Sequence, residues 1–109
     1  MLSELFGSKT TEKCLLYLAA QENGYPTEIA KAFGISNTQV IRTLNKLEQA
    51  DILMGAETGR TRVYLFNPKW FLAKELKALL NKALLNIPID QQEIYFMKRK
   101  RPRKKDKPI

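Results

Sequence analysis

Residues 27–47 constrain this chain more than any other stretch. Ile29, Phe33, Ile35 and Val40 place apolar side chains where two short crossing helices need them. Ala30 is small enough to let two helices approach closely, and Gly34 follows four residues later. A glycine there takes the positive φ of a tight turn without steric cost. The spacing predicts one helix over 27–33 capped by Thr27, a turn at Gly34-Ile35, and a further helix from Ser36 to about Ala50. Val40, Leu44 and Leu47 would face inward, with Ile41 beside them. Asn37, Thr38, Gln39, Arg42, Thr43, Asn45 and Lys46 would form the other face.

The flanking segments extend this pattern. Leu2, Leu5 and Phe6 predict a short helical turn ended by Gly7. A helix then starts in 8–12 behind a hydroxyl N-cap, with Cys14, Leu15, Leu18 and Ala19 on its stripe and Leu16 and Tyr17 widening it. Asn23-Gly24 is expected to stop it, with Gly24 taking the positive φ. Tyr25-Pro26 is expected to be an extended link. After residue 50 the period changes. Residues 52–57 and 61–66 read as strands joined by Thr58-Gly59-Arg60, which predicts a hairpin. Asn67 as N-cap and Pro68 at the first helical position would open a long helix to about Asn86, ended by Pro88. A last short helix is expected from Asp90 to about Lys98.

Composition then narrows the chemistry. The chain has 109 residues, about one domain's length. It has no His and one Cys, so it offers no Cys/His zinc set, no intrachain disulfide and no histidine acid–base pair. Cys14 falls on an apolar stripe and reads as a small core residue. No Gly-rich phosphate loop, Ser/His/Asp set or carboxylate cluster supports an enzyme, and neither metal nor cofactor is expected. No run approaches the ~20 apolar residues of a membrane span, and no signal-peptide pattern opens the chain. A cytoplasmic protein is expected, associated with the nucleoid, or nuclear in a eukaryotic source.

Charge is unevenly placed. Residues 1–97 hold 11 basic and 10 acidic side chains. The next twelve hold Lys98, Arg99, Lys100, Arg101, Arg103, Lys104, Lys105 and Lys107 against Asp106 alone. With Pro102 and Pro108 among them, these residues are expected to form a flexible basic tail over 98–109 that binds a polyanion.

The order is helix, link, helix, turn, helix, hairpin, long helix, and 27–47 form a helix-turn-helix. This resembles the winged helix-turn-helix transcriptional regulators, in the broad sense that includes ArsR-like and MarR-like repressors. The matching residues are EIAKAFGIS (28–36), VIRTLNKLE (40–48), ADIL (50–53) and GRTRVYLFNP (59–68), within about residues 8–86. Thr43 departs from the pattern, since many such motifs carry an apolar residue there. Metal-sensing ArsR-like proteins use Cys and His ligands, so metal sensing is not carried over. The resemblance implies a winged helix-turn-helix fold, mainly α with a small β-hairpin; with the segments read above, the domain is expected over 1–88, followed by the short helix over 89–97 and the basic tail.

Double-stranded DNA is the expected partner. Helix 36–50 would enter the major groove N-terminal end first. Ser36, Asn37, Thr38, Gln39, Arg42 and Thr43 would face base edges or nearby phosphates, and Lys46 a phosphate. Gln39 suits adenine and Arg42 guanine, because each can make two hydrogen bonds there. Arg60 at the tip of the wing, 57–62, and Arg62 behind it would reach the adjacent minor groove or its phosphates. One exposed cation means little, but basic residues on both elements together point to DNA. Tyr64 and Phe66 should anchor the hairpin. Trp70, Phe71 and Leu72 read as packing at a helix start rather than an effector pocket, and no residue set identifies a small-molecule effector. The helix 68–86 carries more apolar surface than one small domain buries, which predicts a homodimer through Leu72, Leu76, Leu79 and Ala83, with Leu80 and Leu84 shared with the core. Two other uses remain open: a less sequence-selective nucleic-acid protein (replication, packaging or RNA-associated), and a winged-helix adaptor for protein contact.

Overall fold

The computed structural model of the protein describes residues 2–95, with side chains through Gln92. Six helices and one hairpin follow in the order α1 (Ser3–Phe6), α2 (Lys9–Gln21), α3 (Pro26–Phe33), α4 (Asn37–Gln49), β1 (Leu53–Thr58), β2 (Thr61–Phe66), α5 (Ala73–Leu85) and α6 (Ile89–Tyr95). The fold is mainly α with a small β-hairpin, as the sequence predicts. Lys98 to Lys107 and the end of the last expected helix lie outside the described residues. No helix among the described residues is long and apolar enough to cross a membrane.

Helix α2 is the hub, touching α1, α3, α4, α5 and β2. Ser8 caps it by accepting a hydrogen bond from the Thr11 N–H at 3.2 Å. Five consecutive residues, Cys14 to Leu18, are buried. A helix apolar on so much of its circumference must be covered on several sides. Ile29, Val40, Leu44, Leu53, Tyr64 and Leu80 close around it. The Cys14 thiol lies inside this core, and burial pushes its pKa up to about 12, so it stays protonated at neutral pH.

β1 and the start of α6 are each shifted by one residue from the sequence expectation, and three helix ends are capped differently. The left-handed residue ending α2 is Glu22, at φ 74°, not Gly24. Gly24 instead pairs with Tyr64, donating its N–H to the Tyr64 carbonyl at 3.1 Å and accepting the Tyr64 N–H at 2.8 Å. A side chain there would sit 2.9 Å from the Tyr17 ring, so close approach is what requires glycine. Helix α3 begins one residue before Thr27, with Tyr25 at the N-cap and Pro26 in the first turn. Proline's fixed φ and missing N–H suit that position, and no side chain caps the end.

The third difference is the start of α5. Asn67 does not cap a helix beginning at Pro68. Its Oδ1 accepts from the Lys69 N–H at 3.0 Å, its carbonyl accepts from the Trp70 N–H at 3.1 Å, and its Nδ2 donates to the Asp51 carbonyl at 2.9 Å. These bonds make a turn tied to the end of α4, and regular helix starts only at Ala73. Asparagine's habit of bonding backbone two residues on favours this turn. Past Asn86, Gln92 Nε2 donates to the Leu84 and Ile87 carbonyls at 2.8 and 2.6 Å. It thereby ties the start of α6 to the end of α5, as a second donor to the Leu84 carbonyl, which also accepts the Ile87 N–H at 3.1 Å.

Candidate nucleic-acid interface

The turn between α3 and α4 is built by two residues. Gly34 takes φ 66°, and its N–H donates to the Ala30 carbonyl. The Ile35 N–H donates to the same carbonyl at 3.1 Å. Ala30 is buried, and α3 packs directly on α4. Ser36, in an extended conformation, then caps α4 by accepting from the Gln39 N–H at 3.0 Å. The cap satisfies one of the orphan donors at the helix N-terminus.

Helix α4 divides as its spacing requires. Val40, Leu44 and Leu47 are buried. Ser36, Asn37, Thr38, Gln39, Arg42, Asn45, Lys46 and Gln49 are exposed, and Thr43 is half-buried at the margin. Ile41, expected beside the inward set, is instead an exposed apolar residue. Arg42 and Lys46 have no ion-pair partner among the described residues.

The hairpin lies against this helix. Its register pairs Leu53 with Phe66, Gly55 with Tyr64 and Glu57 with Arg62. Tyr64 and Phe66 are buried, as expected for anchors, while Val63 and Leu65 are half-buried. Gly59 takes φ 64° in the turn, and Arg60 is exposed beside it without an ion-pair partner among the described residues.

Arg62 is held inward. It shares the face of Tyr64 and Phe66, because alternate strand residues share a face. Its Nη2 donates to Glu48 Oε2 on α4 at 2.5 Å and its Nη1 to Glu57 Oε2 at 3.2 Å. Its guanidinium lies 5.7 Å from the centre of the Tyr64 ring. These bonds, to Glu48 first and Glu57 next, raise the guanidinium pKa further above its already high value. Gly55 leaves the space, since a side chain there would meet the guanidinium at 2.7 Å. A second tie runs beside the first: Tyr64 Oη donates to Asn45 Oδ1 at 2.7 Å. Asn45, Glu48 and Gly55 thus join the site, and the sequence reading had not placed them in it.

Loss of that clamp is expected to loosen the wing. In Arg62→Ala, amide hydrogen exchange should accelerate severalfold across β1 and β2 while α2 and α5 keep their protection. Unchanged hairpin exchange would show that Tyr64 and Phe66 hold the wing unaided.

The residues named for pairing on the long helix separate. Leu76 is half-buried and Ala83 buried, both against the core. Leu72 and Leu79 are each 40% exposed. Leu80 is fully buried and Leu84 half-buried. Trp70 stacks edge-on against Phe71, with centroids 5.9 Å apart. The expected packing of 70–72 holds at most for the half-buried Trp70: Phe71 is 81% exposed, and Leu72 is exposed as well.

No family model matches the chain, and no curated protein does. Among solved structures it is similar to the adhesin competence repressor (AdcR) from Streptococcus pyogenes, with a TM-score of 0.55 and 22% sequence identity. The match covers 84% of this chain and 81% of that one. A capped helix behind a glycine turn, with a two-stranded hairpin clamped to its flank, is the arrangement described above, and the chain therefore has the winged helix-turn-helix fold.

Proposed function

We propose that the chain is a DNA-binding transcriptional regulator that reads the major groove with residues 36–50 and the adjacent minor groove or phosphates with the wing, 57–62. The observation that carries this reading is the outer face of α4. It is exposed, bears Thr38, Gln39, Arg42 and Lys46, and leaves both cations unpaired beside a wing whose tip is Arg60. The similarity to a repressor supports the regulatory role. Arg42 and Gln39 reach base edges, Lys46 a phosphate, and Ser36, Asn37, Thr38 and Thr43 the groove around the helix N-terminus. Arg60 makes the wing's contact, and Arg62 stands behind it, holding the wing at its angle to α4. The protein works as a cytoplasmic homodimer joined through α5, with no cofactor.

Selection from a random DNA library with the purified protein tests this directly. A sharp motif with twofold symmetry is expected, its half-site spacing reporting the dimer. On the selected site Arg42→Ala should cost about 1–3 kcal/mol and relax base choice at one position. Equal loss on every sequence would reassign Arg42 to a phosphate. The basic residues beyond 97 favour a second reading, a nucleic-acid protein with less sequence choice. A ratio of specific to non-specific affinity near one, at fixed salt, would establish that reading instead.

A further inference from the structure

The outward face of α5 has a pattern that its own fold does not use. Glu75 and Lys82 are exposed and have no partner among the described residues. They stand seven residues apart, about 10.5 Å along a helix, too far to bond one another. Within α5 the positions one turn from each are Ala78 and Leu79 for Glu75, and Ala78, Leu79 and Leu85 for Lys82, with Phe71 and the N-cap Leu72 before the helix and the C-cap Asn86 after it. None carries a charge, so neither residue finds an ion pair along its own helix. The apolar members of this set are open, with Phe71 81%, Leu85 82%, Leu72 40% and Leu79 40% exposed. A charge of each sign, set symmetrically within an exposed apolar face, is what a helix needs to pair with a copy of itself.

We infer that two copies of this chain associate through antiparallel α5 helices about a twofold axis passing between Ala78 and Leu79. This deepens the homodimer reading above and rests on it. In that register Glu75 of each copy opposes Lys82 of the other, Leu72 opposes Leu85, and Ala78 opposes Leu79. A twofold interface is self-complementary in this way, each contact occurring twice. These three oppositions are apolar with apolar or acid with base, and Phe71 opposes the Asn86 amide at the ends of the seam, while Leu76 and Ala83 stay with the core of their own copy. The face joining the copies is therefore turned away from the seam of Leu72, Leu76, Leu79 and Ala83 that the sequence suggested, keeping only Leu72 and Leu79 from it.

Charge reversal reads the register, and it needs no DNA. Sedimentation of the full chain at low salt should show a dimer at micromolar concentration. Glu75→Lys and Lys82→Glu should each weaken it at least tenfold, because each sets like charges opposite one another. The double variant Glu75→Lys/Lys82→Glu should return to within about threefold of the parent, since both pairs are restored with their signs exchanged. Leu85→Lys should also weaken association, and it replaces an exposed side chain, so the monomer fold should persist by circular dichroism. A parent chain that stays monomeric at about 100 μM would overturn the inference. So would a double variant as weak as the singles, which would place any dimer on another face. Either result leaves DNA selection by the monomer or dimer to be judged separately.

Discussion

Leu44→Ala is expected to lower the free energy of unfolding by about 2–5 kcal/mol, measured by denaturant titration. Leu44 is fully buried on the inward face of α4 and belongs to the same core as Leu18, Ile29 and Val40. Removing its branched end leaves a void between the α4 backbone and the hub helix, and close-packed interiors relax only partly around such voids. Against a typical total of about 5–15 kcal/mol, that loss is large. The effect on DNA binding should follow stability: where the variant remains folded, Arg42 and Gln39 keep their places and base choice is unchanged. A loss under about 1 kcal/mol would mean that α3 and α4 close over the site, and that the angle of α4 is set by the turn at Gly34 rather than by its buried face.

Removing residues 98–109 is expected to change binding even more, without touching the fold. The segment holds eight basic residues and one acidic residue. A polycation gains affinity by displacing counterions condensed on nucleic acid, about 0.9 in the slope of log affinity against log salt for each phosphate neutralised. If about half of the cations engage, the slope should flatten by roughly 3–4 per chain. Between 50 and 200 mM salt, that is about a hundredfold in the salt-driven change of affinity on a mixed-sequence duplex. Base choice should persist, because phosphate contacts carry no sequence information directly. An unchanged slope would assign the segment to solubility. An unfolded truncation would show that it packs on the body and that a boundary near Met97 is wrong.

The helix-turn-helix was legible because its constraints are local. Ala30, Gly34 and Ser36 act within a few residues of themselves, and each does in the structure what its chemistry implies. The exceptions are local chemistry read too simply. Asn67-Pro68 satisfies a helix-start pattern, yet Asn67 can also close a turn, and its bond to the Asp51 carbonyl depends on where α4 ends. Glu22 was unexpected as a left-handed residue with Gly24 two positions away, because the pairing that occupies Gly24, with Tyr64 on β2, is a tertiary fact. At the candidate site, the exposed cations Arg42, Lys46 and Arg60 follow from helix and turn periodicity. The clamp on Arg62 was half visible. Counting by twos from Phe66 through Tyr64 puts Arg62 on the inner face, but its acceptor Glu48 lies fourteen residues earlier, and no short-range pattern joins them.

The backbone pairing of Gly24 with Tyr64 makes the wing a lever. The hairpin is pinned at that point to the segment leading into α3, and Arg60 stands four residues further out, in the turn just before β2. At about 3.3 Å per strand residue, the arm is roughly 13 Å long. A rotation of about 0.1 radian at the pivot would then carry the Arg60 backbone by about 1.3 Å, nearly half a hydrogen-bond length. Glu48, gripping Arg62 partway along the arm, stops that rotation close to where it begins. In the proposed complex, the angle at which the tip would meet a groove is thus set by one contact at the base of the arm and one midway along it.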